Sequence, residues 1–104
     1  MDPAELEKTR RETMRWRIIQ TLHIGSPYAL AEDTILQAVT GPDLPGTQLD
    51  VRKELTYLEA RELIVIDGRG EAPLWRAQLT RHGTDLAEYT IPCEPGIGRP
   101  QKYW

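Results

Sequence analysis

The stretch Thr47-Gln48-Leu49-Asp50-Val51-Arg52-Lys53-Glu54-Leu55-Thr56-Tyr57-Leu58 sets the donors Gln48, Arg52, Lys53, Thr56 and Tyr57 between apolar residues at helical spacing. A helix that buries Val51, Leu55 and Leu58 turns those donors outward. They are side chains that hydrogen-bond phosphates and base edges, so the chemistry they point to is recognition of double-stranded DNA. Arg69, in the turn Asp67-Gly68-Arg69-Gly70, stands where it could reach a phosphate or a minor groove. The opposing reading is a solvated helix face, because Arg52, Lys53 and Arg61 are outnumbered by Asp50, Glu54, Glu59 and Glu62.

Other chemistries find less support. His82 follows Arg81 without a nearby nucleophile and orienting acid, so no enzyme is expected. No phosphate-binding loop of the form G-x-x-x-x-G-K-[ST] occurs. Cys93, His23 and His82 are isolated and lack ligand spacing, so neither a metal nor a cofactor is expected. Trp16 reads as a core or interface anchor. Ile97, Tyr103 and Trp104 are apolar or aromatic groups on a segment without a core of its own, which suits docking on a partner or a second subunit.

The elements that must position these residues follow from periodicity and caps. A first helix is expected from about Pro3 to His23, capped by Asp2 and apolar in its second half at Met14, Ile18 and Leu22, widened by Trp16 and Ile19. A short second helix from roughly Ala31 to Thr40 carries Ile35, Leu36 and Val39, and Gly41-Pro42 ends it. Thr47 caps a third helix running to about Arg61. Leu63-Ile64-Val65-Ile66 and the alternation Trp75, Ala77, Leu79 predict two strands joined as a hairpin with Arg69 at its tip. Thr80 caps a fourth helix to about Tyr89, where Gly83 hints at close backbone contact. Residues 91–104 hold three prolines and two glycines and predict an extended tail.

Two stretches carry a resemblance. Asp50 to Ile64 looks like the recognition helix and first wing strand of the winged helix-turn-helix superfamily. The run Trp75-Arg76-Ala77-Gln78-Leu79-Thr80-Arg81-His82-Gly83-Thr84-Asp85-Leu86-Ala87 resembles its second wing strand leading into an L-T-x-x-G-x-x-L helix. Residues 14 to 90 are thereby similar to bacterial repressors of the ArsR and MarR type. With Pro95-Gly96-Ile97-Gly98-Arg99-Pro100 included, the layout also resembles small winged-helix proteins of Mu-like bacteriophages and prophages. The resemblance implies a mainly α winged-helix domain over residues 1–90, ordered helix-helix-helix-strand-strand-helix, with the extended tail over 91–104. It further implies a homodimer that sets its third helices in successive major grooves. Where many such proteins have a glycine after the recognition helix, this chain has Arg61-Glu62.

Length and composition bound these readings. The 104 residues suffice for one core, and 39% hydrophobic with 28% charged residues argues against wholesale disorder. No apolar run is long enough for a membrane span and no signal-peptide layout opens the chain, so the cytoplasm is the expected compartment. A net charge of -3 excludes binding nucleic acid by bulk positive charge and requires any DNA affinity to be local. The expectation is a small DNA-binding transcriptional regulator of phage type. Its alternative is a phage or prophage winged-helix module that binds protein through the first helix and the tail, without DNA.

Overall fold

The computed structural model describes residues 1–70 and 72–102; the expectations placed on Tyr103 and Trp104 lie outside them. Helix α1, Pro3–Gly25, starts as its cap dictates: the Asp2 carboxylate accepts from the Glu5 amide at 2.8 Å, and Pro3 takes a first-turn position where no N–H is needed. Its leading turns are exposed, and its second half buries Met14, Trp16, Ile18, Ile19 and Leu22. Strand β1, Leu30–Ala31, leads directly into α2, Glu32–Val39, which buries Ile35, Val39 and the carboxylate residue Glu32. Arg17 closes the end of α2 by donating to the Val39 carbonyl at 3.3 Å.

Helix α3, Gln48–Ala60, opens with a capping box. Thr47 Oγ1 accepts from the Asp50 amide at 3.2 Å while the Asp50 carboxylate accepts from the Thr47 amide at 2.9 Å. Its inward side carries Val51, Leu55, Leu58 and also Glu54. Without a glycine to end it, Glu62 itself takes the left-handed conformation at φ 63°, and the Leu63 amide reaches back to the Leu58 carbonyl at 3.1 Å.

Strands β2, Ile64–Asp67, and β3, Arg76–Leu79, pair antiparallel with Ile64 opposite Leu79 and Asp67 opposite Arg76. β1 adds to the other edge of β3, Leu30 opposite Ala77, giving the order β1-β3-β2. The hairpin agrees with the alternation in the sequence; the third strand does not appear there, because two residues are too few to show a period. Helix α4, Arg81–Ala87, is capped by Thr80 Oγ1, which accepts from the Gly83 amide at 3.0 Å. A Cβ on Gly83 would fall on the Leu63 carbonyl oxygen, so the packing of α4 against the strand start requires glycine. The described residues thus form a compact mixed α/β domain of four helices and a three-stranded antiparallel sheet. None of the helices is long and apolar enough to cross a membrane.

Residues 91–102 contain neither helix nor strand, but they are not a free tail. Ile97 is buried in the same core as Met14 and Trp16. The Gly98 amide donates to the Glu12 carbonyl at 2.9 Å, and Arg99 Nη1 donates to the carbonyls of Leu86 and Ile91, both at 2.9 Å. Tyr89 Oη donates to the Pro100 carbonyl at 2.8 Å. This corrects the assignment of Ile97 to a partner surface: its own domain provides the apolar site. Trp16 is likewise turned inward, its ring meeting that of Tyr89 edge-on with centroids 5.9 Å apart.

Two substitutions test these constraints by urea unfolding. Glu62→Gly relieves a left-handed side chain and should raise stability by about 1 kcal/mol. Gly83→Ala forces a methyl group onto a hydrogen-bonded carbonyl and should lower it by more than about 2 kcal/mol.

Candidate nucleic-acid interface

An α-helix offers neighbouring positions three and four residues apart on one face. On α3 the outward stripe is Leu49, Lys53 and Thr56, all exposed, flanked by Gln48 and Arg52. The hairpin leans beside it, so that Leu49, Arg52, Lys53, Thr56 and Trp75 line one shallow groove. Arg69 Nη1 pairs with Glu59 at 2.8 Å and its Nη2 lies 3.4 Å from Thr56 Oγ1, which brings the hairpin tip against α3. The structure therefore gathers Gln48, Arg52, Lys53, Thr56 and Arg69 on one side of the molecule.

Tyr57 does not join them. One residue past Thr56, it turns toward α1 and the C-terminal segment, where its ring lies between the guanidinium groups of Arg15, at 3.6 Å, and Arg61, at 4.9 Å. Arg15 also donates to Glu54 at 2.7 Å and to the Gly96 carbonyl at 2.8 Å. Gly96 has φ 97°, and a Cβ there would strike the Tyr57 hydroxyl. Tyr57 is thereby corrected from an outward donor to part of the packing between α1, α3 and the last residues.

Behind the groove lies Glu32, which the sequence analysis did not single out. Its carboxylate has no solvent exposure. Arg52 grips it with Nε on Oε1 at 2.8 Å and Nη2 on Oε2 at 3.1 Å, the Gln48 amide donates to Oε1, and the Trp75 backbone amide donates to Oε2. Burial pushes the carboxyl up, but the hydrogen bonds from Arg52, Gln48 and Trp75 outweigh it and hold Glu32 below the usual carboxylate range. The Glu32 amide in turn donates to the Trp75 carbonyl at 2.8 Å. The Trp75 ring then lies under two cations, Arg52 at 4.7 Å and Arg69 at 4.6 Å from its centroid.

Two overlooked residues differ in how visible they were. Leu49 breaks the inward phase of α3 and is 61% exposed, which an out-of-register apolar residue on a polar face could have signalled. Glu32 gives no such sign, since an acid in the first turn of a helix is ordinarily solvated. Elsewhere, burial pushes the Cys93 thiol up, with Arg99 opposing, which leaves it a poor nucleophile near neutral pH.

The charge arrangement across this face is now explicit. Asp50 is engaged in the cap, Glu54 in a buried pair with Arg15, Glu32 beneath Arg52, and Glu59 against Arg69.

Because the carboxyl of Glu32 titrates lower in the folded chain, its contribution is complete above the ordinary carboxylate range and is lost as pH falls through its folded value. The stability gap between the unsubstituted chain and Glu32→Gln should therefore be wide at neutral pH and close in acid. Arg52→Ala, which leaves the buried carboxylate without its cation, should lower stability at neutral pH by about 3 kcal/mol. Urea unfolding at both pH values measures each. Compared with protein-family models, curated proteins and solved structures, the chain gives no match.

Proposed function

We propose that this chain is a winged helix-turn-helix protein that binds double-stranded DNA, with α3 in the major groove and the β2–β3 hairpin over neighbouring phosphates. The element order and the β1-β3-β2 sheet support the winged-helix reading, because a short strand between the first two helices pairs with the hairpin behind α3. One observation carries the DNA reading. The acids that dominate α3 in sequence point inward or sit in caps and ion pairs, so its outward stripe carries Lys53, Thr56 and Leu49 with Gln48 and Arg52 beside them. A lysine serves a phosphate, an exposed leucine can meet a thymine methyl, and a glutamine or arginine can read a base edge. Such a face works on a chain of net charge -3 because only charges against the duplex displace counterions.

In this reading the protein is a small transcriptional regulator, and a homodimer would place two α3 helices one helical turn of DNA apart. The alternative, a protein-binding module using the first helix and the tail, loses the contribution of Ile97, which is buried in its own domain, and of residues 97–100, which dock there.

The test is retention of genomic duplex fragments by the purified protein across a salt series, with Lys53→Ala and Lys53→Glu alongside. Lys53→Ala should make the slope of log affinity against log salt shallower by about one, and Lys53→Glu should weaken binding roughly tenfold at near-physiological salt. No retention even at low salt would overturn the DNA reading and direct attention to protein partners.

A further inference from the structure

Resting on the DNA-binding reading, we propose that Arg52 is the base-reading residue of α3, that the base it reads is guanine, and that the buried carboxylate of Glu32 positions it. A guanidinium is planar and carries five N–H donors in two forked edges, one formed by Nε with a terminal nitrogen and one by the two terminal nitrogens. Glu32 takes the first edge, through Nε at 2.8 Å and Nη2 at 3.1 Å. Among the described residues, the hydrogen bonds of this guanidinium go to Glu32 alone. The second edge, Nη1 with the remaining proton of Nη2, is left as a fork of donors on a side chain that is 33% exposed at the groove beside Lys53.

Two donors side by side match the adjacent N7 and O6 acceptors on the major-groove edge of guanine. They do not match adenine, which sets a donor beside its acceptor, nor the amino group of cytosine, nor the lone acceptor of thymine. Glu32 also lowers the entropic cost of the contact, since an arginine held by a carboxylate and by the Trp75 ring has already lost most of its rotamer freedom. Gln48 shares the same carboxylate and leans on the same support. Lys53 has no planar fork and serves as the phosphate contact.

The experiment is selection of bound duplexes from a randomised library by the unsubstituted chain, Arg52→Lys and Glu32→Gln, followed by affinity measurement on the selected and a scrambled site. The unsubstituted chain should select a fixed G·C pair. Arg52→Lys should lose that preference, weakening the selected site roughly ten- to a hundredfold while changing the scrambled site by less than about threefold, because the positive charge remains. Glu32→Gln should blur the same preference with the scrambled site unmoved. A measurement that needs no protein variant replaces the selected guanine by 7-deazaguanine, which removes N7 and should weaken binding by the unsubstituted chain about tenfold. An unchanged preference in Arg52→Lys, equal weakening on both duplexes as for a phosphate contact, or indifference to 7-deazaguanine overturns this assignment alone. Failure of the unsubstituted chain to bind any duplex overturns the DNA reading with it.

Discussion

A carboxylate removed from water must fill its lone pairs with donors or surrender its charge. Glu32 is in that position, and much of the outward face depends on how it is satisfied. Its donors come from two places that the chain must bring together: Gln48 and Arg52 on α3, and the Trp75 amide at the end of the hairpin loop. The return bond from the Glu32 amide to the Trp75 carbonyl makes the join reciprocal. α2, α3 and the hairpin are thereby held in one relative arrangement, and the Trp75 ring is delivered to the place where Arg52 and Arg69 lie over it. A buried ion pair is weak evidence for stability, since well-packed apolar residues often do as well. What apolar residues could not supply is direction: a two-toothed grip on one edge of a guanidinium fixes where the other edge points.

The opposite flank of α3 is held by a second clasp of the same kind. Arg15 joins Glu54 and the Gly96 carbonyl while lying over Tyr57, so α1, α3 and the C-terminal segment meet at one guanidinium. Arg99 extends the attachment by donating to the Leu86 carbonyl in the last turn of α4 and to the Ile91 carbonyl just beyond that helix. Held from both sides, α3 keeps the stripe through Leu49, Lys53 and Thr56 for the outside. The C-terminal segment, whose prolines and glycines prevent regular structure, contributes through side chains and single backbone bonds instead.

The legible part of the fold was the part written in periodicity and caps. Asp2, Thr47 and Thr80 mark helix starts by the hydrogen bonds they make, and Val51, Leu55 and Leu58 are buried as their spacing requires. Gly83 was readable as a place of close approach because glycine inside a helix is unfavourable without such a reason. Pairings between distant residues were not legible. Nothing in Glu32, Arg52 and Trp75 taken singly shows that they meet, and Arg15 with Glu54 are separated by most of two helices. Of the donors on α3, the four in or beside the outward stripe followed from helical geometry; Tyr57 did not, because it packs against Gly96, a residue far along the chain whose docking the composition of the tail concealed.

The charge count illustrates why composition and surface diverge. Read along α3 and its end, acids exceed bases, and a helix so composed would repel a polyanion if all its charges faced the same way. The fold separates them by angle. Glu54 lies on the inward side because it falls between Val51 and Leu55 in the buried phase, and Arg15 meets it there. Asp50 is drawn into the cap because the first turn has amides without partners. Glu59 pairs with Arg69 of the hairpin loop, while Glu62, past the end of α3, is exposed. The acidic excess of the chain does not come from α1, where Lys8, Arg10, Arg11, Arg15 and Arg17 outnumber Glu5, Glu7 and Glu12; part of it is Glu32 and Asp33 of α2, of which Glu32 is already paired with Arg52. The sign of the net charge therefore constrains the strength of non-specific attraction and leaves the local match between α3 and its ligand to the few side chains that face it.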